Sequence, residues 1–261
     1  MQQPPANGWS PPEGLRPARL SVGIISAGRV GTALGYALER VDHVVVACSA
    51  ISDASRLRAQ RRLPETAILP VAEVAQQAEL LLLTVPDAEL ASLVSGLAAT
   101  GSVRPGTIVV HTSGANGVAV LAPLTEQGCI PLAIHPAMTF TGSDEDISRL
   151  PDTCFGVTAA DEVGYAIGQS LVLEIGGASL RGQELLGQEL VDDAPGGLPE
   201  RVVGPLARAA LDNALQRGQS ALTGPVARGD AAAVAAHLES LGALDPELAR
   251  AYRADSLRTA Q

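Results

Sequence analysis

Leu20-Ser-Val-Gly-Ile-Ile-Ser-Ala-Gly-Arg-Val-Gly-Thr-Ala-Leu-Gly-Tyr-Ala-Leu38 is the stretch on which the reading of the whole chain turns. Leu20 to Ile25 reads as a short buried strand, and Thr32 to Arg40 as a helix with Leu34 and Leu38 one turn apart. Ser26, Gly28 and Gly31 lie between them. A strand, a turn and a helix in this order are the context of a dinucleotide fingerprint. Its first position makes a tight turn, its second lets the backbone approach a pyrophosphate, and its third lets the helix pack against the strand. Gly28 and Gly31 hold the second and third positions, and Ser26 replaces the first glycine. Phosphate oxygens would then meet the free N–H groups at the helix N-terminus. Cofactor contacts are expected at Ser26, Ala27, Gly28, Arg29, Val30 and Gly31; the alternative is an ordinary glycine-rich turn.

Working outward, Val41 to Cys48 gives a second strand. A site that prefers NAD places Asp or Glu at the tip of this strand, where it binds the ribose hydroxyls. Here the tip runs into Ser49-Ala50-Ile51-Ser52, without a carboxylate, and Arg56, Arg58, Arg61 and Arg62 follow. Guanidinium groups pair with phosphate through parallel hydrogen bonds, so NADP is expected rather than NAD, with Ser49, Ser52 and Arg56 at its 2′-phosphate. A solvated basic helix face is the other reading.

Ala67 to Pro70 and Glu79 to Val85 read as strands, each followed by a helix, and the apolar run Leu80-Leu-Leu-Leu83 reads as buried on both faces. Thr84, Val85 and Pro86 follow its end and are expected to line the cofactor trough, with Asp87 capping the next helix. Thr107 to His111 and Ile130 to His135 repeat the pattern of a buried strand with polar residues at its carboxyl end. His111, Ser113, His135 and Thr139 thus converge on one edge of the sheet. Cys154 to Thr158 and Leu171 to Ile175 read as two more strands around a helix from Asp161 to Gln169. Beyond Gly177 no strong strand signal remains. Helical periodicity runs from Pro199 to Gln216, from Ala231 to Leu241, and from Pro246 to about Leu257. The expected layout is a proline-rich tail over 1–18, an α/β domain over 19–177 and a smaller helical domain over 178–261.

Composition narrows the chemistry. A net charge of −10 and 2% aromatic residues argue against nucleic acid and anionic membranes. No apolar run is long enough to cross a bilayer. The chain has no lysine, which excludes a lysine acid, base or Schiff base. Cys48, Cys129 and Cys154 are far apart and form no metal-ligand spacing; with no signal-peptide pattern at the start, a reduced, cytoplasmic protein without a metal site is expected. In the C-terminal part Asn213 shares a helical stripe with Leu206 and Ala210, and Thr223-Gly-Pro-Val-Ala-Arg-Gly-Asp230 is a turn-rich loop. Asn213, Thr223 and Arg228 are candidate substrate ligands. Asn213 and Arg228 read equally well as a structural amide and a surface arginine.

The sequence resembles proteins with a Rossmann-like domain followed by domain of unknown function 2520, relatives of the 6-phosphogluconate dehydrogenase-like and pyrroline-carboxylate reductase-like enzymes. The resemblance covers nearly all of Arg19 to Gln261. It is carried by Ile25-Ser-Ala-Gly-Arg-Val-Gly31, Thr84-Val-Pro-Asp87, His111-Thr-Ser-Gly114, His135-Pro-Ala-Met-Thr-Phe140 and Leu222 to Asp230. The composition is similar to that of actinobacterial, including mycobacterial, members. The resemblance implies a doubly wound, mostly parallel α/β sheet with an all-helical C-terminal domain, a homodimer, and an NADP-dependent reductase. Some members resemble an alternative ketopantoate reductase acting on 2-dehydropantoate. It also implies a long helix between the last strand and the second domain, for which Ala178 to Val191 is too short and too rich in glycine.

The resulting expectation is an NADP-dependent oxidoreductase that reduces a small oxo acid or imine. His135 is the first choice for the proton donor and His111 the second, because unperturbed histidine titrates near neutrality. Ser113 and Thr139 would hold the substrate oxygen. A non-catalytic NADP-binding sensor is the rival reading, and a deazaflavin-coupled oxidoreductase the third.

Overall fold

The computed structural model describes residues 19–181, 208, 211–213, 215, 218, 226–227, 229 and 231–259. The proline-rich tail, the segment Ala178–Val191 beyond Arg181, and Thr223 and Arg228 lie outside the described residues. Strands β1 (Ser21–Ile25), β2 (Val44–Cys48), β3 (Ala67–Ile68), β4 (Leu80–Leu83), β5 (Ile108–His111), β6 (Ile130–Pro136), β7 (Cys154–Ala159) and β8 (Ala178–Arg181) form one sheet. Their spatial order is β3-β2-β1-β4-β5-β6-β7-β8. All pairings are parallel except that of β6 with β7. The chain therefore winds outward from β1 in both directions, and the reversal falls between β1 and β4. In doubly wound sheets that crevice, outside the carboxyl ends of the strands, is where ligands bind.

Helices α1 (Arg29–Glu39), α2 (Asp53–Arg62), α3 (Val71–Gln77), α4 (Asp87–Thr100), α5 (Ala122–Thr125), α6 (Glu145–Arg149) and α7 (Glu162–Glu174) accompany the sheet. Side chains alternate across a strand, so Leu80 and Leu82 enter the core layer that holds Leu34 and Leu38 of α1. Leu81 and Leu83 enter the layer that holds Leu90 and Val94 of α4. Both faces are covered, as an unbroken leucine run requires. Farther along, α8 (Ala231–Leu244) and α9 (Pro246–Thr259) pack on each other. Proline opens α9, and the Asp245 carboxylate accepts a bond from Glu247 N–H at 2.8 Å.

Three local expectations are corrected. Leu171 to Ile175 is not a strand: it closes α7, whose buried positions Gly164, Gly168, Leu171 and Val172 follow a helical stripe. The eighth strand is Ala178–Arg181, parallel to β7, so the sheet continues past Gly177. Asp87 is the first residue of α4 rather than its cap; Pro86 holds that place, and no side chain caps the helix.

The end of α7 is tied to the start of the sheet through a buried histidine. Leu20 N–H donates to His43 Nδ1 at 3.1 Å, which leaves the ring proton on Nε2, 2.9 Å from Glu174 Oε2. Burial works to raise the Glu174 pKa, but bonds from His43 and Ser170 and the charge of Arg19 carry it below the usual carboxylate range.

Candidate active site

The turn after β1 is strained and then braced. Ser26 has φ +74°, the left-handed region, which costs a residue with a Cβ about 1–2 kcal/mol. Ser26 N–H donates to Ser49 Oγ at 3.0 Å, and the Ser26 carbonyl accepts from Thr84 Oγ1 at 2.7 Å. Ala27 N–H donates to the Ser49 carbonyl at 2.7 Å. Residues at the tips of β2 and β4 thus hold the turn from both sides. Ser49 is buried and serves as a brace.

The two glycines of the turn differ in what demands them. A Cβ on Gly31 would stand 2.5 Å from Thr84 Oγ1, 2.7 Å from the Ser26 carbonyl oxygen and 2.9 Å from Ile24 Cγ2. The fold itself requires glycine there. A Cβ on Gly28 would meet only Ser26 atoms, at 3.8 and 3.9 Å, which is ordinary contact. Gly28 therefore leaves an open cradle that the fold does not require. That cradle lies at the first turn of α1, which no side chain caps and which carries no acidic residue. Unclaimed N–H groups and the positive end of the helix dipole favour an anion at this point.

At the tip of β2, Ser52 caps α2 by accepting from Ser55 N–H at 3.2 Å. Arg56 is exposed and its Nε donates to the Ile51 carbonyl at 3.4 Å, so it curls back over the tip. Ile51 is 92% exposed, an apolar side chain standing in the open beside it. Sequence reasoning counted Arg58 among the arginines after β2 but chose Arg56 instead. A Cβ on Gly142 would lie 3.2 Å from both Arg29 Cγ and Arg58 Nε, so the two arginines flank one glycine. Burial first, then the charges of Arg29, Arg62 and Arg61, push the Arg58 guanidinium below its ordinary range. The available signal was the spacing of Arg58 and Arg62, one turn apart on the same face of α2.

The four polar residues expected at the strand ends separate into two kinds. His135 is half-buried, and its Nδ1 lies 3.1 Å from the Thr112 carbonyl. A carbonyl only accepts, so Nδ1 carries the proton and the neutral ring leaves Nε2 as an acceptor. The ring lies against Gly114, whose absent Cβ would be 2.7–3.0 Å from three ring atoms. Thr139 is half-buried on the chain just beyond β6. Ser113 is buried, and its Oγ accepts from Ala115 N–H, Asn116 N–H and Asn116 Nδ2, so it shapes the turn that carries Gly114.

His111 is fully buried, with Nε2 3.2 Å from the Gly117 carbonyl. Burial lowers its pKa below the ordinary histidine value of 6.5, against the opposing pull of the Gly117 bond and Asp87. Its geometry is that of a neutral brace, not a proton donor to an open cleft. The folded form resists a proton that the unfolded chain accepts. The stability contributed is therefore complete above about pH 6.5 and is lost as pH falls through the folded pKa. Denaturant unfolding at pH 7.5 and 5.5 is expected to show this loss, and His111→Gln to flatten it. An unchanged slope in the variant would contradict a structural role.

Asn213 is buried, and its Oδ1 accepts from Arg149 Nη1 at 2.9 Å. Arg149 also lies 3.7 Å from Asp212. Val85 is half-buried and Pro86 exposed at the entrance to α4. The three cysteines are free and buried, and burial pushes the Cys48 thiol up to about 11, which makes it a poor nucleophile. Among the described residues no helix is long and apolar enough to cross a membrane.

Residues 1–136, just over half of the chain, match the family model described as Rossmann-like domain. Residues 181–259 match one described as domain of unknown function (DUF2520). No curated protein matches the sequence. A candidate NADP oxidoreductase from Bacteroides fragilis has a similar fold, with 21% identity and a TM-score of 0.53 over 93% of this chain and 98% of that one. A candidate oxidoreductase from Mycobacterium avium 104 gives 17% identity and 0.51, over 91% and 92%. Prephenate dehydrogenase from A. aeolicus, solved with hydroxyphenyl propionate and NAD+, gives 13% and 0.50, over 92% and 96%. At these identities the likeness is one of fold.

Proposed function

Because this chain belongs to the Rossmann-like domain family, we propose that it is an NADP-dependent oxidoreductase reducing the C=O or C=N bond of a small anionic substrate, a 2-oxo acid such as 2-dehydropantoate among them. The observation that carries this reading is the open cradle at Gly28 before the uncapped end of α1, on the sheet edge that also bears His135. The oxidoreductases that share its fold support it. The reduced nicotinamide supplies the hydride.

The chain's own residues account for the rest. N–H groups of the first turn of α1 bind the pyrophosphate, and Arg29 stands beside them. Ser52 and Arg56, at the tip of β2, meet the 2′-phosphate, with Ile51 as an apolar surface for the adenine. Thr84, Val85 and Pro86 line the trough toward the nicotinamide. His135, held through Nδ1 by Thr112, carries a second proton on Nε2 and gives it to the developing alkoxide or amine. The ring returns to neutral without losing its anchor. Thr139 orients the substrate oxygen. Ser113 acts indirectly by fixing the turn under the ring. The ligands of the substrate carboxylate fall to the helical domain, where Asn213, Thr223 and Arg228 are the candidates. A homodimer and a cytoplasmic location belong to this reading.

Arg56→Met is expected to raise the KM for NADPH roughly tenfold, on the order of one charge-assisted phosphate contact, and to leave the KM for NADH unchanged. Arg58→Met, measured in parallel, separates the two arginines. Equal effects of Arg56→Met on both cofactors would remove Arg56 from the 2′-phosphate. The reading as a whole is tested by NADPH oxidation across a panel of 2-oxo acids and imines. Turnover with one of them supports it, and binding without oxidation across the panel returns the sensor.

A further inference from the structure

A second cavity lies beside the far end of α1 from the nucleotide turn. It holds about 760 Å³ and is bounded by the C-terminal half of α1, the end of α2, and α6. Tyr36, Arg40, Arg61, Arg62, Asp144 and Ser148 are among its lining residues. Arg40 follows α1 directly, whereas Gly28 precedes it. At 1.5 Å per residue the two ends of this helix are roughly 18 Å apart, so Arg40 lies far from the turn, while Arg62 reaches the Gly142 loop that also packs on Arg29.

Its chemistry is set by Arg62. The side chain is 3% exposed, yet only Nη2 has partners, the Gly142 carbonyl at 3.1 Å and Asp144 Oδ1 at 3.2 Å. Nε and Nη1 are buried and have no hydrogen-bond partner among the described residues. A guanidinium has five N–H donors, and a buried one is normally satisfied. Arginines in the last turn of a helix offset its dipole, which accounts for the exposed Arg61 but not for an Arg62 withdrawn from water. The acidic groups nearby are already engaged. Asp144 is shared between Arg61, at 3.6 Å, and Arg62, and Glu174 is held by His43, Arg19 and Ser170. Arg40, Arg61 and Arg62 therefore leave an excess of donors and positive charge in a space of the size that small-molecule ligands occupy.

We propose that this cavity is a second binding site, for a small oxyanion-bearing molecule whose phosphate or carboxylate group is met first by Arg61 and Arg40 and draws toward it the unpartnered donors of Arg62, which are closed off from solvent in this structure. The site is independent of the nucleotide turn.

The test is thermal unfolding of the full chain in rising inorganic phosphate and, separately, citrate, each against sodium chloride of equal ionic strength. A ligand that binds only the folded form raises Tm with concentration. Saturable stabilisation is expected in the parent and to persist in Gly28→Val, which removes only the share contributed by the nucleotide cradle. Arg62→Met is expected to lose it. Arg61→Gln and Arg40→Gln, at exposed positions that the fold does not need, are each expected to weaken it about fivefold to tenfold, and they decide the matter should Arg62→Met fail to fold. Phosphate acting where citrate does not, or the reverse, identifies the class of group taken. The proposal is overturned if neither anion exceeds sodium chloride, if the effect survives in the arginine variants, or if Gly28→Val abolishes it.

Discussion

His135→Ala is expected to bind NADPH within about twofold of the parent and to lose about 10²- to 10⁴-fold in turnover, the usual contribution of a positioned general acid. The two halves of the expectation come from different parts of the site. In the proposed function nucleotide affinity comes from the turn before α1 and the tip of β2, whereas His135 bonds Thr112 and packs on Gly114. Proton delivery, on the same proposal, comes from that fixed ring. His135→Gln makes the test sharper, since it keeps a polar group at the position but removes the titrating one. It too should fall by the same order. Single-turnover hydride transfer measured on both variants checks this, and full activity in either would take the acid role away from His135.

Gly28→Val and Gly31→Ala are expected to fail in different ways. At Gly28 the protein leaves space for a side chain, so the variant should fold with unchanged stability. Its NADPH affinity should fall by about tenfold or more, ~1.4 kcal/mol for each factor of ten, because the side chain fills the cradle. At Gly31 the added methyl falls on Thr84 Oγ1, the Ser26 carbonyl and Ile24. The cost is an overpacked core, about 1–3 kcal/mol of folding stability, with the turn itself displaced. Chemical denaturation paired with nucleotide titration separates the two. Loss of stability in Gly28→Val, or normal stability in Gly31→Ala, would contradict the division of labour between them.

The sheet was legible because its strands are apolar runs that end in turn residues, and leucines at four consecutive positions leave little choice but burial on both faces. The misreadings have physical causes. Leu171-Val-Leu-Glu-Ile175 is short and apolar, and a run of that length has no periodicity of its own; what assigns it to α7 is the helical stripe that begins seven residues earlier, at Gly164. Ser26 could be recognised as a substitute for glycine, but not the device that makes it tolerable, since Ser49 and Thr84 reach it from other strands. The two strand-end histidines look alike in the chain. Only the path of the Gly114–Gly117 turn buries one ring and leaves the other half-open. Arg58 and Arg62 are turned inward by the loop at Gly142, some eighty residues away, whereas Arg56 stays outside. Which face of a helix a later segment will cover is a tertiary fact, and the burial of a charge follows from it.

The most direct measurement is a calorimetric titration of NADPH into the folded chain. Saturable uptake at one site per chain is predicted, with the affinity about tenfold or more weaker in Gly28→Val while its circular dichroism stays that of the parent. Uptake of neither NADPH nor NADH by well-folded parent protein would contradict the account at its root.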